Sequence, residues 1–181
     1  MPYRVCFVCT GNICRSPMAE SVFRARVAEA GLDGLVEVDS AGTGGWHEGD
    51  GADPRTVSVL EANGYDSDHT ARQFRASWFS RLDLVIALDS GHLEALRRLA
   101  PASADAEKVQ LLRSYSHPSP DHHPSRSASH VPSDESAGHD LDVPDPYYGG
   151  TDGFEECLEM VEAASVGLLA AVQEHVEGRA A

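Results

Sequence analysis

Cys9 and Arg15 stand six residues apart, in the run Cys-Thr-Gly-Asn-Ile-Cys-Arg-Ser-Pro that closes at Pro17. A thiol and a guanidinium at that spacing suit attack on an oxyanion. Arginine offers a planar fork of donors matched to the oxygens of a tetrahedral anion, and it keeps its charge. A cysteine near it and near a helix N-terminus gives up its proton readily, because both lower thiol pKa values from about 8.5 towards roughly 3.5 to 7.5. The chemistry implied is attack by a thiolate on bound phosphate, with a phosphocysteine intermediate. Such a pair arises easily by accident; its setting does not.

The apolar run Val5 to Val8 predicts a strand, Gly11 and Asn12 permit a tight turn, and Pro17 suits the first position of a helix. The turn from Thr10 through Gly11, Asn12, Ile13 and Cys14 to Arg15 and Ser16 then brings backbone N–H groups together with those of the helix start, in a concavity that favours an anion. Ser16, just before Pro17, can be read as a helix N-cap. A second chemical element lies far along the chain, in Val143-Pro-Asp-Pro-Tyr-Tyr-Gly-Gly. Two flanking prolines restrict Asp145, and two readings stand: a plain Asp-Pro turn, or a stiff carboxyl suited to proton donation to a leaving oxygen and then activation of water. Tyr147 and Tyr148 beside it would form an aromatic slot. Trp46 and His47, in the glycine-rich loop 39–53, leave two readings open: side chains folded onto the core, or a further wall of that slot.

These groups need a scaffold. Helices are expected from Met18 to a glycine stop at Gly31, from Asp53-Pro54 to Asn63-Gly64 with Val57 and Leu60 inward, and from Asp89 to Pro101 on Leu93, Leu96 and Leu99. Further strands are expected at Leu35–Val38, Leu82–Leu88 and Lys108–Leu112, and a long amphipathic helix over 153–178 with Phe154, Leu158, Val161, Leu168, Val172 and Val176 on one stripe. Alternation of strands and helices predicts one α/β domain over the whole chain. Its sheet should be parallel and four-stranded, with helices on both faces and the site at the carboxyl ends of the strands. His69, in a polar stretch, reads as a hydrogen-bonded structural residue.

The chain has 181 residues and a net charge of −15, and no Lys or Arg lies between Ser127 and Gly178. That balance argues against nucleic acid or an anionic membrane as partner, and a phosphate must be held by short-range contacts. No secretory or membrane-spanning run is evident, so a cytoplasmic protein with free cysteines is expected, export by an unmarked route remaining open. Ser114 to Asp142 is rich in Ser, Pro, Asp and His and reads as a flexible hydrophilic insert. Its histidines at 117, 122, 123, 130 and 139 lack ligand spacing, so no metal and no cofactor is expected.

Taken together, Cys9-Thr-Gly-Asn-Ile-Cys14-Arg15-Ser16 and Asp145-Pro146-Tyr147-Tyr148 resemble the low-molecular-weight protein tyrosine phosphatases, over nearly the whole chain. The resemblance implies Cys9 as nucleophile, Arg15 as phosphate ligand and transition-state stabiliser, and Asp145 as general acid and then base. It implies that Asn12, Ser16, Ser40 and His69 hold the phosphate loop, and that Ile13, Trp46, His47, Tyr147 and Tyr148 line the substrate slot. Cys14 matches a neighbour able to form a reversible disulfide with Cys9. Substrates would be phosphotyrosine-containing proteins, and the protein a monomer or weak dimer. Relatives on this scaffold include arsenate reductases, which need a further cysteine pair on a mobile segment, where only Cys6 and Cys157 remain here. Protein arginine phosphatases typically carry Thr at the position of Ile13 and Phe where the tyrosine slot begins. A non-catalytic phosphotyrosine-binding module would not need both Cys9 and Asp145.

Overall fold

The computed structural model describes residues 1–116 and 141–180. Strand β1 (Tyr3–Cys9) leads through the glycine turn into helix α1 (Arg15–Glu29). Then come β2 (Val36–Gly42), α2 (Pro54–Ala62), β3 (Leu84–Ala87), α3 (Ser90–Leu99), the short α4 (Ser103–Ala106), β4 (Val109–Leu111) and the long α5 (Thr151–Ala180). The four strands form one parallel sheet in the order β2-β1-β3-β4. β1 lies inside it because both its faces are apolar: Val5, Phe7 and Cys9 point to one side, Cys6 and Val8 to the other. The first face is covered by α1, α2 and α5, with Phe23, Leu60 and Phe154 in its core. The second is covered by α3 and the turn Ala76–Ser80, through Leu96 and Phe79. This is the expected α/β architecture, with helices on both faces.

Chain order and sheet order part company at β1. The chain goes from β1 outward to β2, then returns past it to β3, so the carboxyl ends of β1 and β3 open onto a crevice. Parallel α/β sheets bind ligands at such a switch point. Cys9 ends β1, and Asp89 follows β3 by two residues.

Several boundaries depart from expectation. Helix α1 begins at Arg15, so Pro17 is its third residue, and Ser16 caps nothing. β2 runs to Gly42, past the expected Val38. Pairing with β1, Phe7 against Ser40 and Cys9 against Gly42, extends the strand through polar residues that local pattern does not favour. On α2 the buried residues are Thr56, Val59 and Leu60, with Val57 half-buried; on α3 only Leu96 of the three leucines is buried and Leu99 is exposed. His92 takes the remaining inward place on α3. The expected insert also begins later. Leu112–Tyr115 form a 3-10 turn whose buried Leu112 and partly buried Tyr115 join the core. At the far end of that expectation Asp142 accepts from the Ser90 amide at 2.7 Å, and residues 117–140, with the five histidines, lie outside the described residues.

Candidate active site

The thiol sits at the floor of a cleft of about 340 Å³. Cys9, Thr10, Gly11, Ile13, Cys14 and Arg15 form its base, with Trp46, His47, Asp145, Tyr147 and Tyr148 around it. Trp46 is 75% exposed and Tyr148 90%. In the glycine-rich loop, Trp46 is not folded onto the core, and it lies with His47 along the cleft. Gly42 has a steric reason: a Cβ there would lie 2.8 Å from the Thr10 carbonyl oxygen, and the closeness lets Thr43 and Gly44 donate N–H bonds to Cys9 and Thr10.

Behind the loop, Asn12 is the hub. It is fully buried and left-handed, at φ 58°, a conformation that asparagine tolerates better than most residues. Its amide donates to Ser16 Oγ (2.8 Å) and Ser40 Oγ (3.0 Å), its side-chain oxygen accepts from the Arg72 amide (3.0 Å), and its carbonyl accepts from His69 Nε2 (2.6 Å). The network has a direction. Because Ser16 accepts from Asn12, its own proton is available to Cys9 Sγ, 2.9 Å away. Ser40 likewise donates to Glu20 Oε2 at 2.6 Å. Burial pushes the Glu20 carboxyl up, but hydrogen bonds from His69 and Ser40 and the charge of Arg24 outweigh it and hold it below the ordinary carboxylate range.

Arg15 is 3% exposed. Its Nη1 donates to Asp89 Oδ2 and to the Val143 carbonyl, both at 2.8 Å, and its Nη2 lies 3.6 Å from Asp145 Oδ2. One guanidinium therefore faces the thiol loop, β3 and the acid-bearing segment together. Burial opposes its charge, and the opposing charges at Cys9, Asp89 and Asp145 more than restore it. Asp145 caps the short turn Pro146–Tyr148 by accepting from the Tyr147 amide at 3.0 Å. The two tyrosine rings meet edge to face, 5.0 Å apart.

The other cysteines differ. Burial pushes Cys6, Cys14 and Cys157 each up to about 12, so they remain thiols at neutral pH. Cys14 and Cys157 share the Cys9 face of the sheet, and Cys6 lies on the opposite face.

Sequence reasoning did not assign four residues to the site. Asp89 is an N-cap as expected, accepting from the His92 amide at 2.9 Å, but it is also the partner of Arg15. His92 bonds Thr10 Oγ1 at 2.7 Å, while its Nδ1 stands 3.1 Å from Asp89 without the alignment of a hydrogen bond. Burial drives its pKa down to about 4, against the raising effect of Asp89, so the imidazole is neutral near pH 7. Glu20 is a buried acid on α1, and Arg55 joins α2 to the acid-bearing turn. An acid inside an otherwise buried stretch of helix is a signal that could have found Glu20; Arg55 has none, because the two carbonyls it reaches on the acid-bearing turn lie more than ninety residues away.

Sheet and cleft define a class: α/β proteins with a cysteine-centred anion loop at the switch point of a parallel sheet. The sequence matches the family described as low molecular weight phosphotyrosine protein phosphatase over residues 4–178. It is 71% identical to a low molecular weight protein-tyrosine-phosphatase of Streptomyces coelicolor across the full length of both chains. It is 44% identical to the low molecular weight protein-tyrosine phosphatase A of Mycobacterium tuberculosis, over 92% of this chain and 90% of that one. The crystal structure of YfkJ from Bacillus subtilis superimposes with a TM-score of 0.79 at 35% identity, covering 97% of each chain. The chain belongs to the low molecular weight phosphotyrosine protein phosphatase family.

Proposed function

We propose that this protein hydrolyses phosphotyrosine in proteins, with Cys9 as nucleophile, Arg15 as phosphate ligand and Asp145 as general acid and base. The observation that carries it is the convergence on Arg15: a thiol hydrogen-bonded to Ser16 below, and the Asp145 carboxyl 3.6 Å away across the cleft. The Cys9 thiolate attacks phosphorus, and the bond to the tyrosine oxygen breaks as Asp145 gives that oxygen its proton. Water then attacks the phosphocysteine, passing a proton to the Asp145 carboxylate. Inorganic phosphate leaves and the thiolate is restored. The loop amides from Thr10 to Ser16 would hold the phosphate oxygens, and Ile13, Trp46, His47, Tyr147 and Tyr148 the phenyl ring. Asn12, Ser16, Ser40 and His69 would keep the loop in shape.

Aromatic walls favour an aryl ester over phosphoserine, and Ile13 with the tyrosine pair favours tyrosine over arginine. An outward disulfide relay of the arsenate-reductase kind is disfavoured because Cys157 is buried in α5 and Cys6 faces away. Cys14 remains the partner for a protective disulfide with Cys9. Among the described residues no helix is long and apolar enough to cross a membrane. Our reading of the protein is a cytoplasmic monomer or weak dimer that acts on phosphoproteins, without metal, cofactor or nucleic acid. The test is turnover of phosphotyrosine, phosphoserine and phosphoarginine peptides by the native protein and by Cys9→Ser. The expected result is preference for phosphotyrosine, with turnover reduced to background in the variant; activity that survives the substitution would sink the mechanism.

A further inference from the structure

We infer that Arg55 is a positioning residue for the general acid, acting through the backbone of Tyr147; the inference rests on the phosphatase reading above. Tyr147 is gripped from both sides of its own backbone. Its N–H donates to Asp145 Oδ1 at 3.0 Å, and its carbonyl accepts from Arg55 Nη1 at 3.0 Å. A shift of this one residue therefore rotates the carboxyl that must meet the leaving oxygen.

Arg55 can impose such a position because it is itself fixed. Its Nε and Nη2 reach the two oxygens of Asp53 at 3.0 and 2.9 Å, and Nη1 also approaches the Gly149 carbonyl at 3.4 Å. The plane of the guanidinium lies over Phe154, 4.5 Å from the ring centre, and Phe154 is fully buried in α5. Asp53 in turn is bound to the phosphate loop, its amide donating to the Ile13 carbonyl at 2.8 Å. A short path, Ile13, Asp53, Arg55, Tyr147, Asp145, thus joins the thiol loop to the acid by a route separate from Arg15, which meets Val143 and Asp145 directly. A lysine has a single ammonium and could not span both Asp53 oxygens and two carbonyls.

The role is separable from general stability by its dependence on the leaving group. A misplaced acid costs most where the departing oxygen most needs its proton. The measurement is kcat/KM for a series of aryl phosphates of graded phenol acidity, with inhibition by inorganic phosphate, for the native protein, Arg55→Ala and Arg55→Lys, each with and without Asp145→Asn. For Arg55→Ala we expect a loss of about tenfold on poor leaving groups and under about threefold on activated ones, a fraction of what the acid itself contributes. Arg55→Lys should fall between, phosphate inhibition should stay within about twofold, and neither variant should lose more once Asp145 is Asn. Equal losses across the series, or an undiminished loss in the Asp145→Asn background, would overturn the inference. Should Arg55→Ala fold poorly, Arg55→Lys keeps the charge and stem and carries the same comparison. A native protein without Cys9-dependent turnover overturns the phosphatase reading as well, whereas a flat leaving-group profile overturns only this one.

Discussion

The two halves of the cleft are built on opposite terms. The thiol loop is closed from behind: Asn12 uses its amide, side-chain oxygen and carbonyl on four partners, and buried Ser16, Ser40 and Glu20 continue the chain. The acid segment stands in the open, with Pro144, Asp145, Tyr147 and Tyr148 exposed. It is held from a distance, by Val143 on Leu88 and Arg15, by Asp142 on Ser90 and Arg113, and by Arg55. The difference suits the work proposed for each half. Donors that receive an anion gain from being fixed in advance. A carboxyl that must serve a bulky leaving group and then a water needs access, and access means exposure.

The contrast can be broken experimentally. Asp145→Asn should cost the most after loss of the thiol itself, about 10² to 10⁴-fold in kcat/KM on poor leaving groups and markedly less on activated aryl phosphates; a uniform loss would remove the acid role. Asn12→Ala should lower kcat/KM by up to about 10²-fold with no such dependence on leaving group, and should weaken inhibition by phosphate, because the misplaced part is the anion cradle. Asn12→Gly relieves the left-handed backbone without restoring the hydrogen bonds. It should therefore be more stable than Asn12→Ala in denaturant titrations yet equally impaired, and recovery of activity in Asn12→Gly would mean that backbone shape alone suffices.

The smallest effect concerns pH. In the unfolded chain an imidazole titrates near 6.5, whereas buried His92 is pushed down to about 4. The unfolded state therefore takes up a proton that the folded state refuses. Stability should be full above pH about 6.5 and fall as pH drops towards 4, by up to about 3 kcal/mol from this residue. His92→Asn should start lower, having lost the Thr10 bond as it now stands, but decline less steeply over that interval. Parallel stability curves for the two proteins would contradict the assignment.

Much of this was legible before any coordinates. Cys9, Arg15 and Asp145 lie in short local patterns where proline, glycine and an apolar strand constrain the backbone, and the strand–helix alternation fixed the sheet class. What escaped reading was long-range. Ser40 was placed beyond a strand that in fact carries it, because β2 is extended by pairing with β1, not by its own residues. Asp89 was visible as a cap, but its bond to Arg15 joins positions 74 residues apart. His92 carries no local mark of its role, since its inward orientation depends on where α3 meets the loop. Arg55 and the Tyr147 carbonyl are 92 residues apart, and nothing local in either segment announces the other.

The bond from Arg15 to the Val143 carbonyl spans 128 residues of chain, and it sets an order of events during synthesis. A nascent chain that has reached Leu111 already holds the four strands found among the described residues and the whole thiol loop. It still lacks the carbonyl that steadies the arginine, the carboxyl proposed to donate the proton, and α5, which covers one face of the sheet together with α1 and α2. Domains of this size fold as units, and N-terminal parts emerge first. A ribosome-bound fragment would thus carry the proposed nucleophile without its partners, and the site is complete only once the segment from Val143 to Tyr148 has emerged.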